Sequence, residues 1–325
     1  MPTNPIDFIL WPIKWVIEAI LVGWHWVFTN VFNLNADAGL TWVLAIVGLT
    51  VVVRAALIPI FVRQIKSQRR MMEVAPQLKK IQDKYKGKKD QFSREAMSRE
   101  TMDLYKKTGT NPLSSCLPLL LQMPIFFGLF SVLQNAQSAA HPAGVGLLNA
   151  ELSKSFGTSS LFDIAPLHMA ISTAEGNVAV IVIAAVMVIV MTASQFITQL
   201  QIMSKNQSPE VKASPMYRQQ RILLYLLPFV FLFSGFTFAI GVMFYWLASN
   251  LWTMGQQFIV IRNMPTPGSE AAFAREARLA RRRQRKGITL IEDAPEPEPE
   301  APKTTQRQQP VNKNRAKKKS GGNGK

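Results

Sequence analysis

The chain is poor in the side chains from which most active centres are built. Its 325 residues include one cysteine, Cys116, and three scattered histidines, His25, His141 and His168. A single thiol excludes an internal disulfide and a cysteine-based metal site, and it gives no reading of redox compartment. The histidines lack metal-ligand spacing, and neither a glycine-rich phosphate loop nor a nucleophile elbow occurs. These absences point away from covalent, metal-dependent and nucleotide-driven catalysis, so the expectation is a protein that is not an enzyme and holds no cofactor. Acid is scarce as well. Twenty Asp and Glu stand against 37 Lys and Arg, a formal net charge of +17.

What the chain has in abundance is apolar sequence. Hydrophobic residues make up 48% of it, with 14 Met, 19 Phe and 7 Trp, in runs longer than one soluble core requires. That composition indicates a polytopic membrane protein. Five hydrophobic segments stand out, at 40–62, 112–133, 178–200, 222–236 and 238–261. Lys and Arg concentrate in the stretches 63–107, 205–221 and 275–325, leaving Lys14, Arg54, Lys154 and Arg262 elsewhere. Basic residues mark the cytoplasmic side. The first span then runs from outside to inside, 134–176 lies outside, 201–221 inside, a turn at Gly235 and Phe236 outside, and the tail inside. The fourth segment is short and contains Pro228, so the last two spans read as a tight, shallow hairpin. Pro59, Pro118, Pro124 and Pro228 fall within three of the segments and favour kinks that keep the bundle open.

The organisation expected is all-α: an N-terminal amphipathic helix in 1–37, a first span in 38–62, a cytoplasmic antiparallel helical hairpin in 63–111, four further spans in 112–262 and a disordered basic tail in 263–325. In the N-terminal region Asp7, Lys14, Glu18, His25 and Thr29 share a polar stripe of about 60°. The remaining surface is apolar and includes Trp11, Trp15, Trp24 and Trp26. This suits a helix lying in the membrane surface, with a sixth span pairing Lys14 and Glu18 as the alternative. No basic n-region or Ala-x-Ala site marks it as a cleaved signal. In the hairpin, Met71, Val74, Leu78, Ile81 and Tyr85 step by three and four as an apolar seam, which Lys86-Gly87-Lys88 ends. A second helix is expected over 93–107. The arrangement suggests an interaction arm rather than a plain connector. The tail joins two basic blocks through PEPEPEAP and cannot bury a core. Its charge can simply fix topology, or it can attract anionic lipid or a ribosome.

Arg54 is the anomaly. The 23 residues of 40–62 make a helix of about 34 Å, enough to cross a bilayer core, and Arg54 sits about 4 to 5 Å to the cytoplasmic side of its midpoint. A membrane-embedded arginine costs roughly 3 to 17 kcal/mol, so it marks a place that meets water, a partner or a substrate. Thr50 lies one turn away on the same face. Other polar candidates are Gln122 on the second span, Ser194, Gln195 and Gln199 on the third, and Tyr245, Trp246, Ser249, Asn250 and Gln256 on the fifth. No span offers a carboxylate to pair with Arg54, which argues for a wet polar groove around a permanently charged guanidinium. For any one Gln or Ser an interhelical hydrogen bond is the more ordinary role.

Three stretches carry a resemblance: VVVRAALIPIFVRQIKSQRRMMEVAPQLKKIQDKYKGKKD, TGTNPLSSCLPLLLQMPIFFGLFSVL and FYWLASNLWTMGQQ. Over about residues 38–262 the chain resembles the YidC/Oxa/Alb family of membrane protein insertases, in its short bacterial form. It lacks the lipoprotein-type N-terminal cysteine of many short members. The resemblance implies a five-span core of the bacterial plasma membrane around a hydrophilic groove, open to the cytoplasm and to lipid. It implies a groove centred on Arg54 and lined by Gln195 and Trp246, to which the polar residues of the spans add Thr50, Gln122 and Asn250. The partners it implies are nascent membrane proteins, ribosomes, the Sec translocon and the signal-recognition pathway, with anionic lipids beside the basic segments. A transporter or channel for small anions, using Arg54 as the binding charge, is the alternative.

Overall fold

The computed structural model describes residues 5–88, 90–110, 117–136, 143–212 and 215–286. Cys116 and the tail beyond residue 286 lie outside the described residues. Among the described residues ten α-helices follow one another: α1 (Pro5–Asn30), α2 (Gly39–Lys84), α3 (Gln91–Thr108), α4 (Leu117–Ala136), α5 (Ala150–Thr158), α6 (Val178–Lys205), α7 (Pro209–Lys212), α8 (Pro215–Thr237), α9 (Ile240–Asn263) and α10 (Glu270–Arg285). A two-stranded antiparallel ribbon, β1 (Ser160–Leu161) with β2 (Ala165–Pro166), follows α5. Among the described residues, two helical stretches are long and apolar enough to cross a membrane, Gly39–Met71 and Val178–Lys205, with a shorter apolar stretch at Leu224–Thr237. Residues 1–277 form one compact unit, and residues 278–325 cluster apart from it.

Buried apolar side chains at three- and four-residue steps turn one stripe of α2 (Trp42, Ile46, Leu49) and of α6 (Val180, Ala184, Met187, Met191) toward the neighbouring helices. Trp42, Ile46 and Leu49 of α2 meet Ile17 and Leu21 of α1, Leu129 and Leu133 of α4, and Met191 of α6 in one hydrophobic core. Close approach depends on small residues. A Cβ on Gly48 would stand 2.7 Å from the Trp24 ring, so glycine there lets α1 lie tightly on α2. The outward faces are apolar too. Val182, Val186, Ile189 and Ile197 of α6, and Phe229, Leu232, Phe233 and Phe236 of α8, are exposed. Repeated along whole helices, such surfaces suit a lipid solvent and would be a liability in water.

Three boundaries differ from the sequence reading. No helix boundary falls at residue 62: α2 continues unbroken for 46 residues, through Pro59 and Pro76, into the first arm of the hairpin. Nothing in Arg63–Lys84 stops a helix, because long charged side chains are good helix formers whatever solvent surrounds them. The turn between α8 and α9 falls at Phe238 and Ala239, three residues beyond the expected site. Part of the expected disordered tail is helical, since 270–285 reads EAAFAREARLARRRQR, rich in strong helix formers. The loop 143–176 is an ordered cap, tied to the start of α9 by Ile240 N–H to Met169 O and Gly241 N–H to Leu167 O, both 2.9 Å.

The N-terminal helix departs furthest from expectation. A surface helix would hold its polar stripe in water, yet Lys14, Glu18 and His25 are buried, whereas Phe8, Trp11, Trp15 and Trp26 are exposed. The stripe faces the protein, and α1 packs against α2 and α4. The reason is visible in the partners. Glu18 accepts backbone N–H bonds from Val145 (2.9 Å), Gly146 (2.7 Å) and Leu148 (3.4 Å), His25 bonds Ala36 O at 2.9 Å, and the His25 ring stacks on Trp42. Buried polar groups satisfied inside the protein leave the tryptophans to face outward.

Candidate functional site

Arg54 emerges from α2 half-buried, one turn beyond Thr50. Thr50 is 2% exposed and donates its hydroxyl to Ile46 O at 2.8 Å, so it is spent on its own helix. Tyr245 of α9 stands close enough to Arg54 to interact electrostatically with it. Gln122 of α4 donates its amide to the Tyr245 hydroxyl at 3.4 Å. Gln122 and Tyr245 thus join α4 to α9, and Arg54 of α2 lies within electrostatic range of Tyr245, amid otherwise apolar packing.

Among the described residues, no hydrogen bond or ion pair is made by the Arg54 guanidinium. Glu18 is the sole buried carboxylate among them, and it is committed to the cap loop. A guanidinium cannot shed its charge, so this one must find its stabilisation in water or in a passing group. Further along α9, Ser249 and Asn250 are buried, and the Ser249 Oγ and Asn250 Nδ2 have no hydrogen-bond partner. Polar atoms of this kind cost about 1 to 3 kcal/mol each when left unpaired, which makes them uncommon in a finished core. On α6 the hydroxyls of Ser194 and Thr198 fold back onto Met191 O and Ser194 O.

The sequence candidates separate here. Arg54 and Gln122 fall near Tyr245, Thr50 is one turn from Arg54 on α2, and Asn250 is a turn and a half along α9 from Tyr245. Gln195 is half-buried on α6 with no hydrogen bond among the described residues. Trp246 has aromatic neighbours, Phe126, Phe231 and Phe238, with ring centroids 5.4 to 6.0 Å away. The residue that spacing alone did not single out is Tyr245, one of several polar side chains on α9. Its closeness to both Arg54 and Gln122 depends on the rotation of α9 against α2 and α4, which composition does not encode. Among the described residues no cluster of three His, Cys, Asp or Glu side chains is assembled.

A family model described as the 60Kd inner membrane protein matches residues 33–267, which includes Arg54, Gln122, Tyr245 and the hairpin. A membrane protein insertase YidC of Tropheryma whipplei (strain Twist) is 43% identical over 320 residues, covering 96% of each chain. A protein of the same name from Streptomyces avermitilis is 43% identical over 276 residues, 82% of this chain and 61% of that one. Another, from Bifidobacterium longum, is 34% identical over 321 residues, 95% of each.

Proposed function

Since the chain belongs to the 60Kd inner membrane protein family, that of the YidC-type membrane protein insertases, we propose that it receives nascent transmembrane segments at a polar groove centred on Arg54 and releases them sideways into lipid. The observation that carries this reading is a charged side chain on a membrane-length helix, without a carboxylate partner among the described residues, beside Tyr245 and Gln122. α2, α4, α6, α8 and α9 form the five-span core, with the hairpin of α2 and α3, and α10, on the cytoplasmic side of the plasma membrane. Thr50, Gln195, Trp246 and Asn250 complete the lining.

The energetics need little from the protein. Burying about 20 apolar residues of a client in lipid is strongly favourable, and the obstacle is the polar flank that must cross first. A permanent positive charge attracts an acidic flank, and unspent hydrogen-bonding groups such as Asn250 Nδ2 replace part of the water that the flank gives up. No bond is made or broken. Ribosomes carrying membrane proteins meet the hairpin and tail, and the Sec translocon and the signal-recognition pathway are the partners in delivery.

Insertion of a client with an acidic translocated flank into proteoliposomes tests the proposal. Arg54→Lys keeps the charge and should keep most of the activity. Arg54→Ala should lower insertion about tenfold, equivalent to ~1.4 kcal/mol. Equal insertion by wild type and Arg54→Ala would overturn the role of Arg54. Uptake of small anions by the purified protein, with no insertion, would replace the reading by a transporter.

A further inference from the structure

Five of the six arginines of α10 share one face: at about 100° per residue, Arg275, Arg278, Arg281, Arg282 and Arg285 fall within an arc of about 120°, while Arg283 lies with Glu276 on the far flank. Phe273, Ala277 and Ala280, with Gln284 among them, fall within about 60° on the other side, and Phe273 is 63% exposed. The start of the helix is anchored. Thr266 donates its N–H to Asn206 Oδ1 at 2.9 Å, and Ser269, fully buried, accepts from Ala272 N–H at 3.3 Å. Asn206 is the residue that closes α6, a helix long and apolar enough to cross a membrane. The Asn206 bond therefore fixes residue 266 at the end of a membrane-length helix, and α10 begins four residues later.

From this placement we propose that α10 is a membrane-surface helix whose partner is an anionic phospholipid surface, the arginines meeting headgroup phosphates and Phe273 entering the acyl boundary. Arginine suits the first role because its planar guanidinium forms paired hydrogen bonds with phosphate. A thin apolar face adds modest affinity, so binding depends on charge. Each basic side chain held near an anionic surface multiplies affinity roughly fivefold. RNA would be served by the same charge, but it has no use for an exposed phenylalanine on the opposite side or for an anchor at the end of a membrane-length helix. The proposal rests on α6 crossing the membrane and is independent of the role of Arg54.

The test uses the full chain in vesicles, with an environment-sensitive fluorophore on Ala277→Cys in a Cys116→Ser background, read by iodide quenching. In vesicles of phosphatidylcholine with about one third phosphatidylglycerol, quenching should fall at least threefold relative to phosphatidylcholine alone. The protection should vanish at about 1 M salt, where the Debye length is roughly 3 Å. It should also vanish when Arg275, Arg281, Arg282 and Arg285 are all replaced by Gln, whereas truncation after Lys286 should leave it intact. The same label on Arg282→Cys, on the opposite face, should stay accessible in both vesicles. Equal quenching at position 277 in both lipids overturns the proposal, and protection that appears only with added ribosomes or RNA assigns the helix to nucleic acid instead.

Discussion

A buried carboxylate and a half-buried guanidinium show two opposite ways of keeping charge inside an apolar bundle. Glu18 is fully provided for, with three backbone N–H groups converging on its oxygens, and the loop fits so closely that a Cβ on Gly144 would collide with that carboxylate. Glu18→Leu should leave those donors buried and unpaired, at about 1 to 3 kcal/mol each. The melting temperature in detergent should drop and loop 143–148 should open to protease, with Glu18→Gln falling between wild type and Leu. Arg54 has no such provision. The contrast explains how far the site could be read in advance. A lone charge in an apolar run announces itself, and its helix partner Thr50 follows from the turn of the helix. The direction in which a polar stripe faces does not follow, because the periodicity that places Lys14, Glu18 and His25 on one side is the same whether that side meets water or protein. Tyr245 was legible as one polar residue among several on its span, but not its place near Arg54 and Gln122, because those neighbours come from α2 and α4, far away in sequence.

Among the elements, the hairpin was the most legible, because its seam is a pattern internal to one helix. Met71, Val74, Leu78, Ile81 and Tyr85 are all buried or half-buried, while Glu73, Gln77, Lys80 and Lys84 are exposed. The Lys86-Gly87-Lys88 break falls in the turn, where Gly87 takes a left-handed φ of 85°. Asp90 then caps α3 by accepting from Ser93 N–H at 2.7 Å, which holds its carboxyl below the usual range. The tip is closed by Glu100, which bonds Lys84 and accepts from the Tyr85 hydroxyl at 2.9 Å. The hydrogen bond from Lys84, then that from Tyr85, holds the Glu100 carboxyl below its ordinary value, and the bond to Glu100 holds the Lys84 ammonium above its own. A lowered carboxyl stabilises at pH above about 4.3 and is lost as acid carries the pH through its folded value; a raised lysine stabilises below about 10.4 and is lost as the pH climbs past that. The tip should therefore stay closed across neutral pH and loosen below about pH 4, weakly and with sensitivity to salt, because both groups are exposed. A spin-label pair on Lys80→Cys and Asp103→Cys would register this as a broadened distance distribution in acid, abolished beforehand by Glu100→Gln. The last elements were harder to read. α10 hides in a tail whose overall composition is that of disorder, and only its alanine and arginine content betrays a helix.

For the whole molecule, the boundary between the folded body and the tail lies beyond the last apolar segment. Thr266 and Ser269 are buried, and Gly268 lies against Ser208, so residues 264–269 belong to the body although they follow α9. A chain ending at Ala277 should keep its melting temperature and a working insertion core, while one ending at Asn263 should melt lower, having lost the Thr266 to Asn206 bond and the cover over Gln207 and Ser208. Thermal denaturation of the two truncations, compared with the full chain, separates these outcomes. The unbroken course of α2 has a mechanical consequence. At 1.5 Å per residue, about 45 Å of helix separates Arg54 from the tip at Lys84. Pro59 and Pro76 each remove a hydrogen bond from the ladder between them, so the rod is jointed, and its first joint lies on the far side of the arginine from the bundle core. A swing of about 5° at that joint carries the tip through about 3 Å while Arg54 stays where it is. The arm can follow a bulky visitor like a boom on a fixed mast, and the charge at its foot need not move with it.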